Sequence, residues 1–198
     1  MYKTFIFDCG NVLIGFSRDH LLDVYVGDNK EDRELVRNNV FPKWHFQDEG
    51  LSSKEYYEQV KNTLPERLWK SAYNIIFHWK EEVWPLPGIW ELVRELKNKG
   101  IKLILLSNMP DTFTYDHDDI EVLKHFDELI FSFPLQFAKP DKRIFEYAIN
   151  KCDLTPSDCI FIDDNIDNIK AGKEVGLNTY LFDPSHPEKF IDFVNNLE

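Results

Sequence analysis

Five short apolar runs recur along this chain, and four of them stop at a polar or acidic residue. Phe5-Ile6-Phe7 stops at Asp8, with Gly10 and Asn11 just beyond. Ile101-Lys102-Leu103-Ile104-Leu105-Leu106 stops at Ser107-Asn108, and Leu129-Ile130-Phe131 at Ser132. Cys159-Ile160-Phe161-Ile162 stops at Asp163-Asp164-Asn165, and Thr179-Tyr180-Leu181-Phe182 is a weaker fifth run. Runs that are continuous rather than alternating predict strands covered on both faces, hence a parallel sheet. Helical faces lie between them: Ile89, Leu92, Val93 and Leu96 with Gly100 as a stop; Ile144, Phe145, Ala148 and Ile149; and Ile166, Ile169, Ala171 and Val175 before Gly176. Alternating strands and helices predict an open α/β fold. Such sheets bind ligands at the carboxyl ends of their strands, where Asp8, Ser107 and Asp163-Asp164 all stand.

Residues 16–86 break the pattern. Aromatic and charged residues recur there at helical spacing, as in Tyr56, Tyr57 and Val60, or Trp69, Tyr73, Ile76 and Phe77. They predict a helical insert, with exits at Gly15 and at Pro85-Leu86-Pro87-Gly88. An insert after the first strand sits over the carboxyl edge, where a lid belongs. The expected division is a core of residues 1–15 and 87–198 and a cap of residues 16–86.

Composition narrows the function. Of 198 residues, 43% are hydrophobic, enough for a packed core. No apolar stretch approaches the ~18 residues of a membrane span, and the N-terminal apolar run is too short for a signal peptide. Acids outnumber bases 35 to 23, for a net charge of −12, and no basic patch is visible, so neither a nucleic acid nor a membrane is an expected partner. An anionic substrate would need a metal or a few well-placed cations to offset that field. Cys9, Cys152 and Cys159 lack CxxC spacing and read as reduced thiols of a cytoplasmic protein.

The strand-end residues suggest one chemistry. A carboxylate at Asp8 can attack an electrophile, the Ser107 hydroxyl can hold an oxyanion, and Lys139 can neutralise it as a point charge. The pair Asp163-Asp164 suits a hard divalent cation. These are the parts of aspartyl-phosphate chemistry.

At these residues the chain resembles the haloacid dehalogenase superfamily. The matching segments are Phe7-Asp8-Cys9-Gly10-Asn11-Val12, Leu105-Leu106-Ser107-Asn108, Lys139-Pro140-Asp141 and Phe161-Ile162-Asp163-Asp164-Asn165, in the family order. The resemblance implies a Rossmann-like three-layer sandwich with a parallel sheet, in which the first and fourth strands are neighbours and Asp8 faces the acid pair. It further implies a small helical cap. His45-Phe46-Gln47-Asp48-Glu49-Gly50-Leu51-Ser52 looks like the cap segment of members related to glucose-1-phosphate phosphatases and to the phosphatase domain of epoxide hydrolases.

Carried over, the resemblance makes Asp8 the phosphoryl-accepting nucleophile and a magnesium ligand, with the Gly10 carbonyl as a second ligand. Asp164 would bind Mg2+ directly, and Asp163 directly or through water. Ser107 and Lys139 would hold the transferring oxygens, with Asn108 orienting the substrate, a small phosphorylated metabolite such as a sugar phosphate. The chain departs from the family at Gly10, where most phosphatases of the group carry an acid that protonates the leaving group. Two rival readings follow: a metal-free dehalogenase using Asp8 to displace halide, and a non-catalytic relative binding a phospholigand or a protein.

Other residues read more plainly. His45, a potential replacement proton donor, and His20 are expected as partly buried structural histidines. Trp44, Phe46 and Trp84 are expected in the core of the insert. Asp116-His117-Asp118-Asp119 is expected on a solvated loop, and Cys9 is expected to point away from Asp8. Asp167 and Asn168 divide between supporting the acid pair and facing solvent.

Overall fold

The structure, a computed structural model, describes residues 2–197. Its centre is a five-stranded parallel sheet in the order β5-β4-β1-β6-β7, formed by β1 (Thr4–Phe7), β4 (Lys102–Ser107), β5 (Glu128–Phe131), β6 (Cys159–Asp163) and β7 (Asn178–Leu181). Two further strands, β2 (Ile14–Gly15) and β3 (Trp84–Pro85), form a short antiparallel ribbon. The helices are α1 (Arg18–Tyr25), α2 (Lys30–Val40), α3 (His45–Asp48), α4 (Ser53–Lys61), α5 (Trp69–His78), α6 (Ile89–Asn98), α7 (Asp111–Thr114), α8 (Lys142–Lys151), α9 (Ile166–Glu174) and α10 (Pro187–Asn195).

The unbroken apolar runs are buried on both faces of the sheet. Phe5 and Phe7 of β1 point into a core with α6 and α10, while Ile6 between them points into a second core with α8 and α9. This is the expected three-layer α/β sandwich. β1 pairs with β6 on one side and β4 on the other, and an Asp8 N–H bond to the Ile162 carbonyl (2.9 Å) carries the β1–β6 pairing one residue further. Asp8, Ser107 and Asp163 therefore emerge side by side at the carboxyl edge.

Residues 18–82 contribute α1 to α5 and no strand. Their apolar side chains, among them Leu22, Val40, Tyr56, Ile75 and Trp79, continue the first core cluster rather than forming a separate one. Trp79 stacks on Phe113 of α7 at 5.7 Å between centroids, which docks the helical segment on the sheet's carboxyl edge. The β2–β3 ribbon joins segment and sheet. Gly15 is required there by close approach: a Cβ would lie 2.1 Å from Trp84 Nε1. Among the described residues no helix is long and apolar enough to cross a membrane.

Two details correct the sequence reading. Ile166 does not share the buried face of α9 but is 47% exposed; that face is formed by Asn168, Ile169, Ala171 and Gly172. The ribbon was absent from the expected strands, because two-residue strands carry no periodicity to read.

Candidate active site

Asp8 leaves β1 into a tight loop in which the Cys9 carbonyl accepts from the N–H groups of Val12, Leu13 and Ile14. One of its oxygens, Oδ1, accepts three bonds: from the Cys9 N–H (2.7 Å), from Ser107 Oγ at the end of β4 (2.7 Å) and from Lys139 Nζ (2.8 Å). Lys139 Nζ also donates to Asp163 Oδ2 at 2.7 Å, and its side chain is 1% exposed. A buried ammonium bridging two buried carboxylates is stable only because the charges are paired. Burial would lower the Lys139 pKa, but the charges of Asp163 and Asp8 outweigh it and hold the ammonium above its ordinary value.

Asp163 is saturated with donors. Oδ1 accepts from the Asn165 N–H (2.8 Å) and Asn168 Nδ2 (3.0 Å), and Oδ2 from Lys139 and Asn168 (3.1 Å). Asp164 is less occupied: Asn11 Nδ2 reaches Oδ2 at 3.2 Å. Asn11 stands at φ 55°, a left-handed conformation that asparagine tolerates, and this turns its amide toward Asp164. Each of Asp8, Asp163 and Asp164 places a carboxylate oxygen within 4.8 Å of the others, an all-oxygen set suited to one hard divalent cation. The occupancy fits direct binding by Asp8 and Asp164 better than by Asp163. Burial raises the Asp8 carboxyl to about 7 against the pull of Lys139, with Asp163 adding to the push. It raises Asp164 as well, again with help from Asp163.

Asn108 is held at both ends of its amide. Its Oδ1 accepts from the Lys139 N–H and its Nδ2 donates to the Lys139 carbonyl, both at 2.8 Å. Both ends of the amide clamp the backbone of Lys139, so the side chain positions the lysine. Asp141 caps α8, accepting from the Arg143 N–H. Asn165, not the acid pair, caps α9.

Beside the cluster lies a cavity of about 110 Å3, lined by Gly10, Ile14, Phe16, Trp44, Asp48, Trp79, Asn108, Met109 and Pro110. Two of these side chains keep a buried polar atom without a hydrogen-bond partner: Asp48 Oδ1 and Trp79 Nε1. Each such atom costs about 1–3 kcal/mol. Burial raises the Asp48 carboxyl to about 8; the charges of Asp8 and Glu49 add to this, while Lys139 and Arg18 oppose it. A Cβ on Gly10 would meet nothing within 4 Å, and its φ lies outside the left-handed region. The missing acid therefore reflects no steric demand of the loop.

The remaining candidates fall as follows. His45 is exposed rather than partly buried, its ring tilted against that of Phe46 with centroids 4.3 Å apart, because a four-residue helix at the surface cannot cover it. His20 is partly buried, with Nε2 3.1 Å from Glu82. Trp44 lines the cavity, whereas Phe46 and Trp84 are exposed instead of forming the insert's core. Asp116 and Asp119 pair with Lys80 at 3.0 Å. Cys9 is fully buried, and burial holds its thiol well above its ordinary value. Asp167 is exposed, while Asn168 supports Asp163. Sequence reasoning gave no role to Asp48 or to the side chain of Asn11; the one cue to Asn11 was its place in the loop after Asp8.

Comparison with known proteins agrees with this geometry. The family model for haloacid dehalogenase-like hydrolases matches residues 2–176. A D-ribitol-5-phosphate phosphatase from Bacteroides thetaiotaomicron is 25% identical over 198 aligned positions, covering 91% of each chain. A predicted hydrolase of this type from Porphyromonas gingivalis superposes with a TM-score of 0.75 at 19% identity, covering all of both chains. A family enzyme from B. thetaiotaomicron, solved in complex with magnesium and inorganic phosphate, gives a TM-score of 0.69 at 20% identity, covering 93% of this chain and 96% of that one.

Proposed function

The chain belongs to the haloacid dehalogenase-like hydrolase family, and from that premise we propose that it is a magnesium-dependent phosphomonoesterase working through a phospho-aspartyl intermediate. The observation that carries this reading is the convergence of one nucleophilic carboxylate, one hydroxyl, one buried ammonium and two further acids at the ends of three adjacent strands and one loop.

Asp8 attacks phosphorus through the oxygen not held by Ser107 and Lys139. These two groups keep the carboxylate oriented, and turn toward the transferring oxygens as charge develops there. Asn108 fixes the lysine backbone for this task, and Asn168 holds Asp163 so that it in turn anchors Lys139. Asp8, the Gly10 carbonyl and Asp164 would hold the cation, with Asp163 next to them. A bound divalent cation supplies the positive charge that keeps Asp8 ionised and neutralises the phosphate. The substrate is a small phosphorylated compound, and a sugar or polyol phosphate agrees with the name of the ribitol-phosphate relative. Residues 16–86 act as the cap that selects it, and the protein works in the cytoplasm.

The dehalogenase alternative accounts poorly for the acids. Three clustered carboxylates and one ammonium leave a net charge of −2, for which metal-free displacement has no use. The test is a panel of phosphomonoesters with and without magnesium, run beside Asp8→Asn. Magnesium-dependent release of phosphate that Asp8→Asn abolishes is expected. Halide release from 2-haloacids without metal would establish the dehalogenase instead, and binding of phosphate esters without turnover would establish the non-catalytic relative.

A further inference from the structure

We propose that Asp48 is the proton donor and acceptor of the reaction, standing in from the opposite wall of the cavity for the acid that the chain lacks at Gly10; this rests on the phosphatase reading above. Asp48 is the one ionisable side chain among the residues lining that cavity, and Gly10 lines it too. Its Oδ1 is buried and has no hydrogen-bond partner, a costly arrangement that is relieved when the protonated carboxyl donates to a leaving-group oxygen. His45, the other candidate donor, is exposed and does not line the cavity.

The helix that carries Asp48 is tied down through its neighbour Gln47. Gln47 is fully buried, and its Oε1 accepts from Ser53 Oγ at 2.9 Å. The Ser53 N–H donates to both oxygens of Asp111 at 3.1 Å, and Asp111 opens α7, just beyond Ser107 and Asn108. Helix α3 is thus tied to the strand-end loops. Of the charged groups facing Asp48, Asp8 and Glu49 favour its protonated form, and Lys139 and Arg18 oppose it. Burial is the leading cause, and it favours the protonated form that a proton donor needs.

The steps balance. Asp8 attacks phosphorus, the P–O bond to the leaving group breaks, and the leaving oxygen takes the electron pair together with the Asp48 proton. Water then attacks the phospho-aspartyl phosphorus and gives its proton to the Asp48 carboxylate. The Asp8–P bond breaks, phosphate departs and both acids return to their starting states.

The experiment compares wild type, Asp48→Asn, Asp48→Glu and the double variant Asp48→Asn with Gly10→Asp, in single turnover with magnesium, on alkyl and aryl phosphates. Asp48→Asn should slow alkyl phosphates by ~10²–10⁴-fold and aryl phosphates with acidic leaving groups by less than about tenfold. The alkaline limb of the alkyl kcat/KM profile should vanish. Activity on alkyl phosphates should return in part with Asp48→Glu or with the acid restored at position 10. Equal loss on both substrate classes, or no loss on either, in a variant that melts like wild type would overturn the role of Asp48 while leaving the phosphatase reading intact. Aryl phosphate turnover that survives Asp8→Asn, or no turnover by wild type, would instead overturn both.

Discussion

The cavity at the carboxyl edge has two walls of opposite character. On the strand side Asp163 accepts four hydrogen bonds, and Asp8 accepts three on a single oxygen. On the helical side Asp48 and Trp79 each leave a buried polar atom unmatched among aromatic neighbours. Saturation fixes a group's position and ionisation, whereas an unmet polar atom waits for a ligand. The strand wall accordingly has the character of a preorganised reaction centre, and the helical wall that of a surface completed by substrate.

Breaking the strand wall should have the largest effect. Lys139→Met removes the cation between two buried carboxylates and should destabilise the fold by about 3–5 kcal/mol, read by denaturant melts, as well as ending turnover. Asn168→Ala withdraws one donor from both oxygens of Asp163. It should cost about 1–3 kcal/mol of stability, and about 10–100-fold in magnesium affinity measured by titration calorimetry. The helical wall should respond the other way. Asp48→Asn should melt no lower than wild type, because it removes a buried carboxyl that has no donor on Oδ1.

The pH dependence of that difference is a further test. The folded Asp48 pKa, about 8, lies above the ordinary unfolded value of about 3.9. Between those values the folded state binds the extra proton. Its stabilising contribution is thus complete below the unfolded value and declines as pH rises to about 8. Melts from pH 4 to 9 should therefore show wild type losing stability relative to Asp48→Asn across this window; parallel curves would mean that Asp48 titrates normally.

The same contrast explains what the sequence disclosed. Asp8, Ser107 and the acid pair were legible because each ends an apolar run, and a parallel sheet must gather such ends on one edge. Lys139 lies on no strand, and only its motif marked it. Asn108 was visible as a polar residue, but that it grips the Lys139 backbone depends on two loops meeting 31 residues apart. Ile166 misled because α9 turns Asn168 inward to reach Asp163, which displaces the apolar face. Asp48 was marked only as one residue of the segment from His45 to Ser52 that resembles a family cap segment, and no role attached to it. It ends a four-residue helix, too short for periodicity, and it reaches the cavity only through the docking of residues 18–82 on α7.

The central claim is that Asp8 carries the phosphoryl group, and chemical trapping tests it most directly. Wild-type protein is mixed with a turnover substrate and magnesium, quenched in acid, reduced with borohydride and mapped by peptide mass spectrometry. An acyl phosphate on Asp8 is reduced to homoserine at that position, and this is the predicted result, lost when substrate is omitted. Unmodified Asp8 during steady phosphate release, or a phosphoryl group trapped on any other residue, would contradict the account.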